Sequence, residues 1–183
     1  LKTVGGQVFA GCTSLEKVNV NLNNKNYTSE NGIWYDKNKT KIILYPYNKK
    51  DSAYTTPTSL KELCNGYVGS YGILLDNSNL KTVTIEKNVA KIDDYAIGFV
   101  FDFDNYKINK VKDFTVKGYR GTVAESYAKK NSFNFVALDK TLQTPSISKL
   151  ENTSGGIKIS WNKVSGAYGY RVYQKTSNGW KRI

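Results

Sequence analysis

Short stretches in which apolar and polar residues alternate recur along the first three quarters of the chain. The apolar pairs are Val18 and Val20, Val83 and Ile85, and Phe114 and Val116, with Asn19, Thr84 and Thr115 between them. A period of two residues is typical of a β-strand that buries one face. Each stretch is therefore predicted to form one short strand.

These strands belong to a repeated unit. LEKVNV, LKTVTI and VKDFTV begin at Leu15, Leu80 and Val111. The segment from Leu1 realigns with that from Val89, and a degenerate version of it, LKELCNGYV, begins at Leu60 and is followed by LKTVTI. A unit of this size cannot bury its apolar side alone. The repeats therefore predict a solenoid with a continuous core and a parallel sheet along one side.

Two insertions interrupt the repeats, and the first occupies about 23–50. It contains turn signals at 31–32 and 36–39 around the apolar stretch 33–35, followed by a second apolar stretch at 41–45. Two short apolar stretches joined by turn residues are typical of a β-hairpin. We expect this hairpin to lie across the solenoid.

The second insertion, 98–109, has phenylalanine at every second position of the stretch 99–103. This is again strand periodicity, and it predicts that the rings are buried. Asp102, Asp104 and Asn105 supply oxygen atoms of the kind that calcium prefers, but the full spacing of an acidic loop is missing. No metal site is therefore predicted here.

Near Thr122 the spacing of the apolar residues changes from a period of two residues to a helical period of 3.6 residues. Thr122 and Glu125 fit a capping box, and basic residues close the predicted helix at its C-terminal end. The apolar face of this helix consists of Val123, Ala124, Tyr127 and Ala128. A strand at 133–138 follows, so the segment 117–138 is predicted to cap the repeats, and the repeat domain is predicted to span 1–138.

The repeat pattern ends at Leu138. A linker at 139–145 leads to three strand-like stretches, at 147–150, 157–161 and 168–174, separated by glycine-containing turns. Residues 146–183 are therefore predicted to form part of a second β-domain.

The composition restricts the chemistry that is open to the chain. It has no histidine and two cysteines, Cys12 and Cys64, so catalytic triads that need an imidazole and most zinc sites are excluded. Each cysteine is predicted to be a small buried hydrophobic residue. The carboxylates, such as the adjacent Asp93 and Asp94, are poorly placed for catalysis. We therefore expect no enzymatic activity and no cofactor. The absence of methionine, even at position 1, suggests a piece excised from a longer protein.

The formal net charge is +12, from 27 basic and 15 acidic residues, and only three of the basic residues are arginines. The lysines are scattered singly, which favours solvated faces over a specific nucleic-acid groove, because base and phosphate recognition relies on arginine. Acidic wall polymers remain possible partners through salt-sensitive attraction. Residues 141–183 hold seven basic side chains and one acidic side chain. No stretch is apolar enough to span a membrane.

Three motifs resemble the BspA-like leucine-rich repeats (the LRR_5 type) of surface proteins from anaerobic gut and oral bacteria. They are VFAGCTSLEKVNV, NYTSENGIWYDKNKTKIILYP and VKGYRGTVAESYAKKNSFNFVAL, which begin at Val8, Asn26 and Val116. Val8 and Trp34 replace the usual alanine and leucine. The resemblance implies a leucine-rich-repeat solenoid that is extracellular, either secreted or attached to the cell wall.

The tail GIKISWNKVSGAYGYRVYQKTSNGWKRI resembles the first half of a bacterial fibronectin type III domain. This resemblance implies that Trp161 is buried and that Tyr170, Val172 and Tyr173 surround it. Such sandwiches run to about 100 residues. The stretch 146–183 would therefore be a truncated domain of this type.

The function that the sequence favours is a non-catalytic binding or adhesion module. The repeats would form an extended surface, and the resemblance implies a host or microbial surface protein or glycan as the partner. The alternative is a targeting or spacer module of a larger secreted enzyme, such as a protease or a glycoside hydrolase, whose catalytic domain lies outside this chain.

The candidate binding residues are Tyr47, Lys49, Lys50 and Tyr54, near Tyr45 and Pro46. Exposed tyrosine stacks on sugars or anchors a protein contact at low entropic cost. Tyr45 belongs to the repeat motif and is predicted to be structural. Tyr47 and Tyr54 are instead predicted to be exposed, so their removal should weaken binding and leave the melting temperature unchanged.

Overall fold

The computed structural model describes residues 1–5, 8–64, 74–139, 142–167 and 169–183. Within these residues the protein is mainly β, with fifteen short strands and one helix. They divide into two compact units, Leu1–Asp139 and Lys140–Ile183. No helix in the described part of the chain is long and apolar enough to cross a membrane.

The elements of the first unit are short and follow one another closely. The strands are β1 (Tyr27–Glu30), β2 (Ile33–Asp36), β3 (Ile42–Leu44), β4 (Ala53–Thr55), β5 (Glu62–Leu63), β6 (Thr82–Thr84), β7 (Lys91–Ile92), β8 (Phe99–Asp102), β9 (Lys107–Lys110), β10 (Thr115–Gly118) and β11 (Asn134–Ala137). The helix α1 (Val123–Lys130) lies between the last two strands.

A four-stranded parallel sheet organises this unit, in the order β11-β10-β6-β4. Its register aligns Tyr54, Val83, Val116 and Phe135 across the strands. We call these four residues the inward column, because they face the main core, where the first three are buried and Phe135 packs against the cluster. The strands predicted around Val83 and Val116 are therefore confirmed.

The N-terminal segment does not join this sheet. Val18 and Val20 are half-buried and Asn19 is exposed, so the predicted alternation of faces holds, but the segment forms no strand. The backbone N–H of Val18 instead donates to the carbonyl of Gly32, in the turn between β1 and β2 (2.8 Å). The edge position beside β6 is taken by β4, a strand that the repeat pattern did not predict.

Two parallel pairings locate the middle repeat. Ala53 pairs with Thr82 in the sheet, and Glu62 pairs with Lys91 in the two-stranded parallel sheet β5-β7, so both pairings join residues 29 apart. Residues 53–63 are therefore the structural copy of residues 82–92. The degenerate copy that begins at Leu60 therefore corresponds to the segment that begins at Val89.

The inserted segment forms a three-stranded antiparallel sheet, β1-β2-β3. The stretches at 33–35 and 41–45 form β2 and β3, and the additional strand β1 precedes them. Both faces of β2 are covered: Ile33 and Tyr35 pack into the main core, and Trp34 packs with the N-terminal segment in a second cluster. The insertion thus lies between the N-terminal segment and the main core.

The second insertion is an antiparallel hairpin of β8 and β9. Phe99 is buried, but Phe101 and Phe103 are only half-buried, so the prediction of three buried rings holds for the first ring alone. Asp76 fastens the hairpin to the core, because its Oδ1 accepts a hydrogen bond from the backbone N–H of Phe101 (3.0 Å). Its Oδ2 is buried and has no partner among the described residues. Burial therefore raises the pKa of Asp76 from 3.8 to about 6.

Helix α1 covers the end of the core with the predicted apolar face, since Ala124, Tyr127 and Ala128 are buried. The predicted capping box does not form. The Thr122 hydroxyl donates to the carbonyl of Tyr119, and the Glu125 carboxylate accepts from the N–H of Gly121. The helix reaches the sheet at Gly118, where a Cβ would lie 2.7 Å from the Cβ of Ala124.

The second unit consists of two antiparallel strand pairs. Its strands are β12 (Ile147–Thr153), β13 (Gly156–Trp161), β14 (Tyr173–Thr176) and β15 (Gly179–Arg182). Trp161 is half-buried and contacts Tyr170 edge-on, with 5.4 Å between the ring centres. The third predicted strand begins only at Tyr173, and its predicted start, Tyr168, lies outside the described residues.

Most large apolar side chains of the second unit are exposed. They include Ile147, Leu150, Ile157, Trp180 and Ile183. Val164 is the single buried apolar residue among the described residues of this unit. The unit therefore has strand pairs but little core, and the buried tryptophan implied by the resemblance is not found.

We expect Gly118→Ala to destabilise the first unit. The added methyl group would collide with Ala124, and overpacking of this kind costs about 1–3 kcal/mol. Gly5→Ala is the matched control, because among the described residues the nearest atom to its Cβ would lie at 3.9 Å. Calorimetric melting of both variants measures the effect. An unchanged melting temperature in Gly118→Ala would contradict the close approach of the helix to the sheet.

The raised pKa of Asp76 predicts a pH dependence of stability. Because the folded state holds this proton more tightly than the unfolded state, the contribution is fully present below about pH 4 and is lost as the pH rises through about 6. Asp76→Asn keeps an oxygen acceptor for Phe101 without the charge. It should raise the free energy of unfolding at pH 8 by up to about 3 kcal/mol, and by much less at pH 4.

Urea denaturation at several pH values measures the difference between wild type and Asp76→Asn. Asp104→Asn, on the exposed turn of the β8–β9 hairpin, is the matched control and should follow the wild-type profile. Identical pH profiles for wild type and Asp76→Asn would show that Asp76 is not responsible.

Candidate functional site

The two tyrosines predicted to be exposed are buried. Tyr54 is 7% exposed and Tyr47 is 8% exposed. Tyr54 is the central residue of β4, so strand alternation turns its ring into the main core between the outward-facing Ala53 and Thr55. Tyr47 packs with Trp34 in the second cluster. The prediction of an exposed tyrosine pair was therefore wrong.

The two lysines of the predicted set differ in environment. Lys49 pairs with Asp51, and its side chain is only 14% exposed. Lys50 is well exposed and lies 3.6 Å from the Glu16 carboxylate. Asn77 fixes the backbone near Lys49, because its buried amide donates to the carbonyls of Pro46 (2.8 Å) and Lys49 (3.0 Å). Lys49 is thus held in place, whereas Lys50 projects into solvent.

A cavity of about 190 Å³ lies where the inserted sheet meets β4. We call it the tyrosine cavity. Its walls are formed by Tyr35, Tyr45 and Tyr54 together with Glu30, Asn31, Ile33, Lys49, Asp51, Ala53 and Thr55. Of the predicted binding residues, Lys49 and Tyr54 line the cavity; Tyr47 and Lys50 do not. The structure adds Tyr35, for which the sequence predicts only a place in a strand.

Three tyrosines contact one another beside this cavity. The hydroxyls of Tyr35 and Tyr54 share a hydrogen bond of 3.1 Å, and the rings of Tyr45 and Tyr54 contact edge-on at 5.5 Å. Burial raises the pKa of Tyr35 to about 12, and it also raises the pKa values of Tyr45 and Tyr54. The nearby Asp51 carboxylate raises the pKa of Tyr45 further. All three hydroxyls are therefore protonated at neutral pH and can donate hydrogen bonds.

The outward side of the parallel sheet continues from this cavity. Its two columns of side chains are Ala53, Thr82, Thr115 and Asn134, and Thr55, Thr84, Lys117 and Val136. We call them the outward face. Adjacent strands in a sheet are about 4.8 Å apart, so the small side chains give an even surface with closely spaced hydroxyl groups. Ala53 and Thr55 belong both to this face and to the cavity wall.

The acidic and sulfur-containing residues were the remaining candidates for a metal site. Asp102 accepts hydrogen bonds from the Asn105 side-chain amide and from the backbone N–H groups of Asn105 and Asp104; these bonds lower its pKa and close the hairpin turn. Among the described residues, no group of three or more carboxylates or cysteines could hold a metal ion. Cys12 is exposed and Cys64 is half-buried. The prediction of buried cysteines is thus wrong for Cys12.

Comparison with known proteins gives two weak structural likenesses. A leucine-rich repeat protein from Eubacterium ventriosum is 23% identical, with a TM-score of 0.37, over 66% of this chain and 34% of its own. The pneumococcal vaccine antigen PcpA is 17% identical, with a TM-score of 0.28, over 70% of this chain and 51% of its own. This chain therefore spans about a third and about half of those two proteins. No family profile and no curated protein matches it.

Tyr54→Ala should destabilise the first unit strongly, because it removes a ring from the inward column. Loss of a buried aromatic side chain costs about 3–5 kcal/mol. Tyr54→Phe loses only the hydrogen bond to Tyr35, worth about 1 kcal/mol. Tyr106→Ala is the control, since Tyr106 is 76% exposed. Calorimetry of the three variants should rank them in that order, and an unchanged melting temperature for Tyr54→Ala would refute the burial.

Proposed function

We propose that the chain is a non-catalytic binding module of a bacterial cell-surface or secreted protein. In this proposal residues 1–138 form a leucine-rich-repeat solenoid of the BspA-like type, and residues 146–183 form part of a fibronectin type III-like domain. Its partner is a surface protein or glycan of the host or of another microbe. The outward face of the parallel sheet is the surface that engages it.

The observation that carries this proposal is the parallel register of the sheet. Four strands from separate parts of the chain present side chains in two straight columns, and most of these side chains are small and polar. Small side chains let a partner approach the sheet closely, and hydroxyl groups supply hydrogen bonds without charge. An extended polypeptide or glycan can therefore lie across several strands at once.

The charge of the molecule suits an attraction to acidic partners. The described lysines are mostly at the surface, and several of them pair with single carboxylates. Because basic residues exceed acidic ones by twelve over the whole chain, acidic wall polymers would be drawn to it at low salt. This attraction is spread over the surface, so it accelerates encounter but does not select a partner.

Thr82→Arg tests the outward face. Thr82 lies in the middle of the sheet, and its neighbours across the strands are the uncharged Ala53 and Thr115, so arginine there adds bulk without repulsion from an adjacent charge. The variant and the wild type are applied to arrays of host and bacterial surface glycans and proteins at physiological salt. We expect at least one partner to bind the wild type and to lose about tenfold or more in affinity to Thr82→Arg, as for a group at the centre of an interface.

Thr13→Arg is the matched control, because Thr13 is exposed and lies outside the sheet. It adds the same charge and should bind like the wild type. Equal binding by Thr82→Arg and Thr13→Arg would refute recognition by the outward face. Binding that the wild type and both variants all lose when the salt concentration is raised would refute it as well. Binding of no array component would favour a spacer.

A further inference from the structure

One face of the strand pair β14–β15, in the second unit, combines aromatic and basic side chains. The two strands are antiparallel, with Tyr173 opposite Arg182 and Lys175 opposite Trp180. Side chains of directly opposite residues lie on the same side of a sheet, and so do side chains two residues apart along a strand. The four side chains therefore share one face, which we call the aromatic-basic face.

All four side chains of the aromatic-basic face are accessible to a ligand. Trp180 is 69% exposed and Tyr173 is 47% exposed, and Lys175 and Arg182 are exposed as well. Tryptophan, tyrosine and arginine are the residue types that contribute most of the binding energy at interfaces. Three residues of these types are thus presented to solvent side by side.

Backbone hydrogen bonds hold the two strands in this register. The ladder continues beyond the strands, because the N–H of Ile183 donates to the carbonyl of Val172 (3.1 Å). At the turn, the Thr176 hydroxyl donates to the carbonyl of Gly179 (2.8 Å). Directly opposite residues have their Cβ atoms about 4.5–5.5 Å apart. Each aromatic ring of the face therefore has a cation as its neighbour across the strands.

The two cations of the face have no acidic side chain of their own unit to pair with. Glu151 is the one acidic residue in 141–183, and it pairs with Lys149 (2.6 Å). Arginine binds a carboxylate through two parallel hydrogen bonds, and lysine binds it as a compact charge. The aromatic-basic face is therefore complementary to an anion that also has an apolar surface.

The close spacing of ring and cation favours an acidic sugar over other anions. A uronic acid carries its carboxylate on the same ring whose C–H groups pack against an aromatic side chain, so both groups fit side by side. In a nucleotide, the ribose separates the phosphate from the base that stacks. A bilayer that took up the two aromatic rings would take up the two cations as well, which is costly.

We propose that the aromatic-basic face binds a glycan whose sugar rings carry carboxylates. Trp180 and Tyr173 pack against the C–H groups of the sugar rings, and Lys175 and Arg182 pair with their carboxylates. The face shares no residue with the outward face of the parallel sheet. The inference therefore goes beyond the proposed function and adds a second binding site, in the second unit.

The probes are tetragalacturonate and a hyaluronan tetrasaccharide, titrated into the isotope-labelled full chain at physiological salt and followed by the NMR shifts of the backbone amides. We expect at least one of them to bind, with the largest shifts in residues 173–182. Arg182→Gln and Trp180→Ala should each weaken this binding about tenfold, through loss of a charged hydrogen bond or of a stacking contact. Arg182→Gln keeps a long side chain on the strand, so it tests the site independently of any effect of Trp180→Ala on the strand pair.

Three controls separate the site from general attraction. Lys181→Gln removes the same charge from the same strand, but on the opposite face, where Lys181 lies across from Gln174; it should bind like the wild type. Tyr106→Ala removes an exposed aromatic side chain from the first unit and should also bind like the wild type. The methyl ester of tetragalacturonate keeps the sugar rings without their charge and should bind at least tenfold more weakly than the acid, if the acid is the probe that binds.

Three results would overturn the inference. The first is that neither acidic tetrasaccharide binds, and the second is that Lys181→Gln weakens binding as much as Arg182→Gln does. The third is that octathymidylate or vesicles of an anionic phospholipid bind more tightly than both tetrasaccharides and depend on Arg182 and Trp180 in the same way.

Failure of this inference is distinguishable from failure of the proposed function. If array binding remains sensitive to Thr82→Arg while neither tetrasaccharide binds, the outward face recognises a partner and the second site does not exist. If a tetrasaccharide binds as expected while Thr82→Arg changes nothing on the arrays, the second site is supported and the role of the outward face is refuted.

Discussion

The first unit depends on the parallel alignment of Tyr54, Val83, Val116 and Phe135 in the inward column. Each strand that carries one of these residues is only three or four residues long, so it cannot bury its apolar side by itself. Stacking in register produces one continuous apolar strip, which then packs against helix α1 and the inserted sheet. A shift of one residue in any strand would turn its apolar side chain to solvent.

This register also determines which side chains form the outward face. With Tyr54 inward, Ala53 and Thr55 must face outward, so the edge strand contributes to the core and to the outward face at once. The Tyr54 hydroxyl then meets Tyr35 from the inserted sheet. Tyr54 thereby contacts two residues of the inserted segment, the Tyr35 hydroxyl with its own hydroxyl and the Tyr45 ring with its own ring.

Two buried polar side chains, Asn77 and Asp76, connect neighbouring segments of the first unit. Asn77 is 1% exposed; its amide binds the loop that carries Lys49, and its side-chain oxygen accepts from the N–H groups of Asn79 and Leu80. One side chain thereby connects the inserted sheet with the start of β6. Asp76 connects the β8–β9 hairpin to the core in the same way, but one of its oxygens has no partner among the described residues. Burial therefore favours the neutral form of Asp76, whereas Asn77 is uncharged at every pH.

The sequence by itself determined the local features of this protein: the alternation around Val83 and Val116, the helix that begins at Val123, and the absence of imidazole chemistry. These follow from neighbours along the chain, so periodicity and composition reveal them. The tertiary structure decided which strand lies beside β6, which side of β4 carries Tyr54, and that Tyr35, Tyr45 and Tyr54 meet. The local sequence of Tyr54, an aromatic residue between the small residues Ala53 and Thr55, is equally compatible with an exposed and a buried ring. The Tyr54 ring faces the core because β4 pairs with β6, a strand 29 residues further along the chain, in the register that joins Ala53 to Thr82.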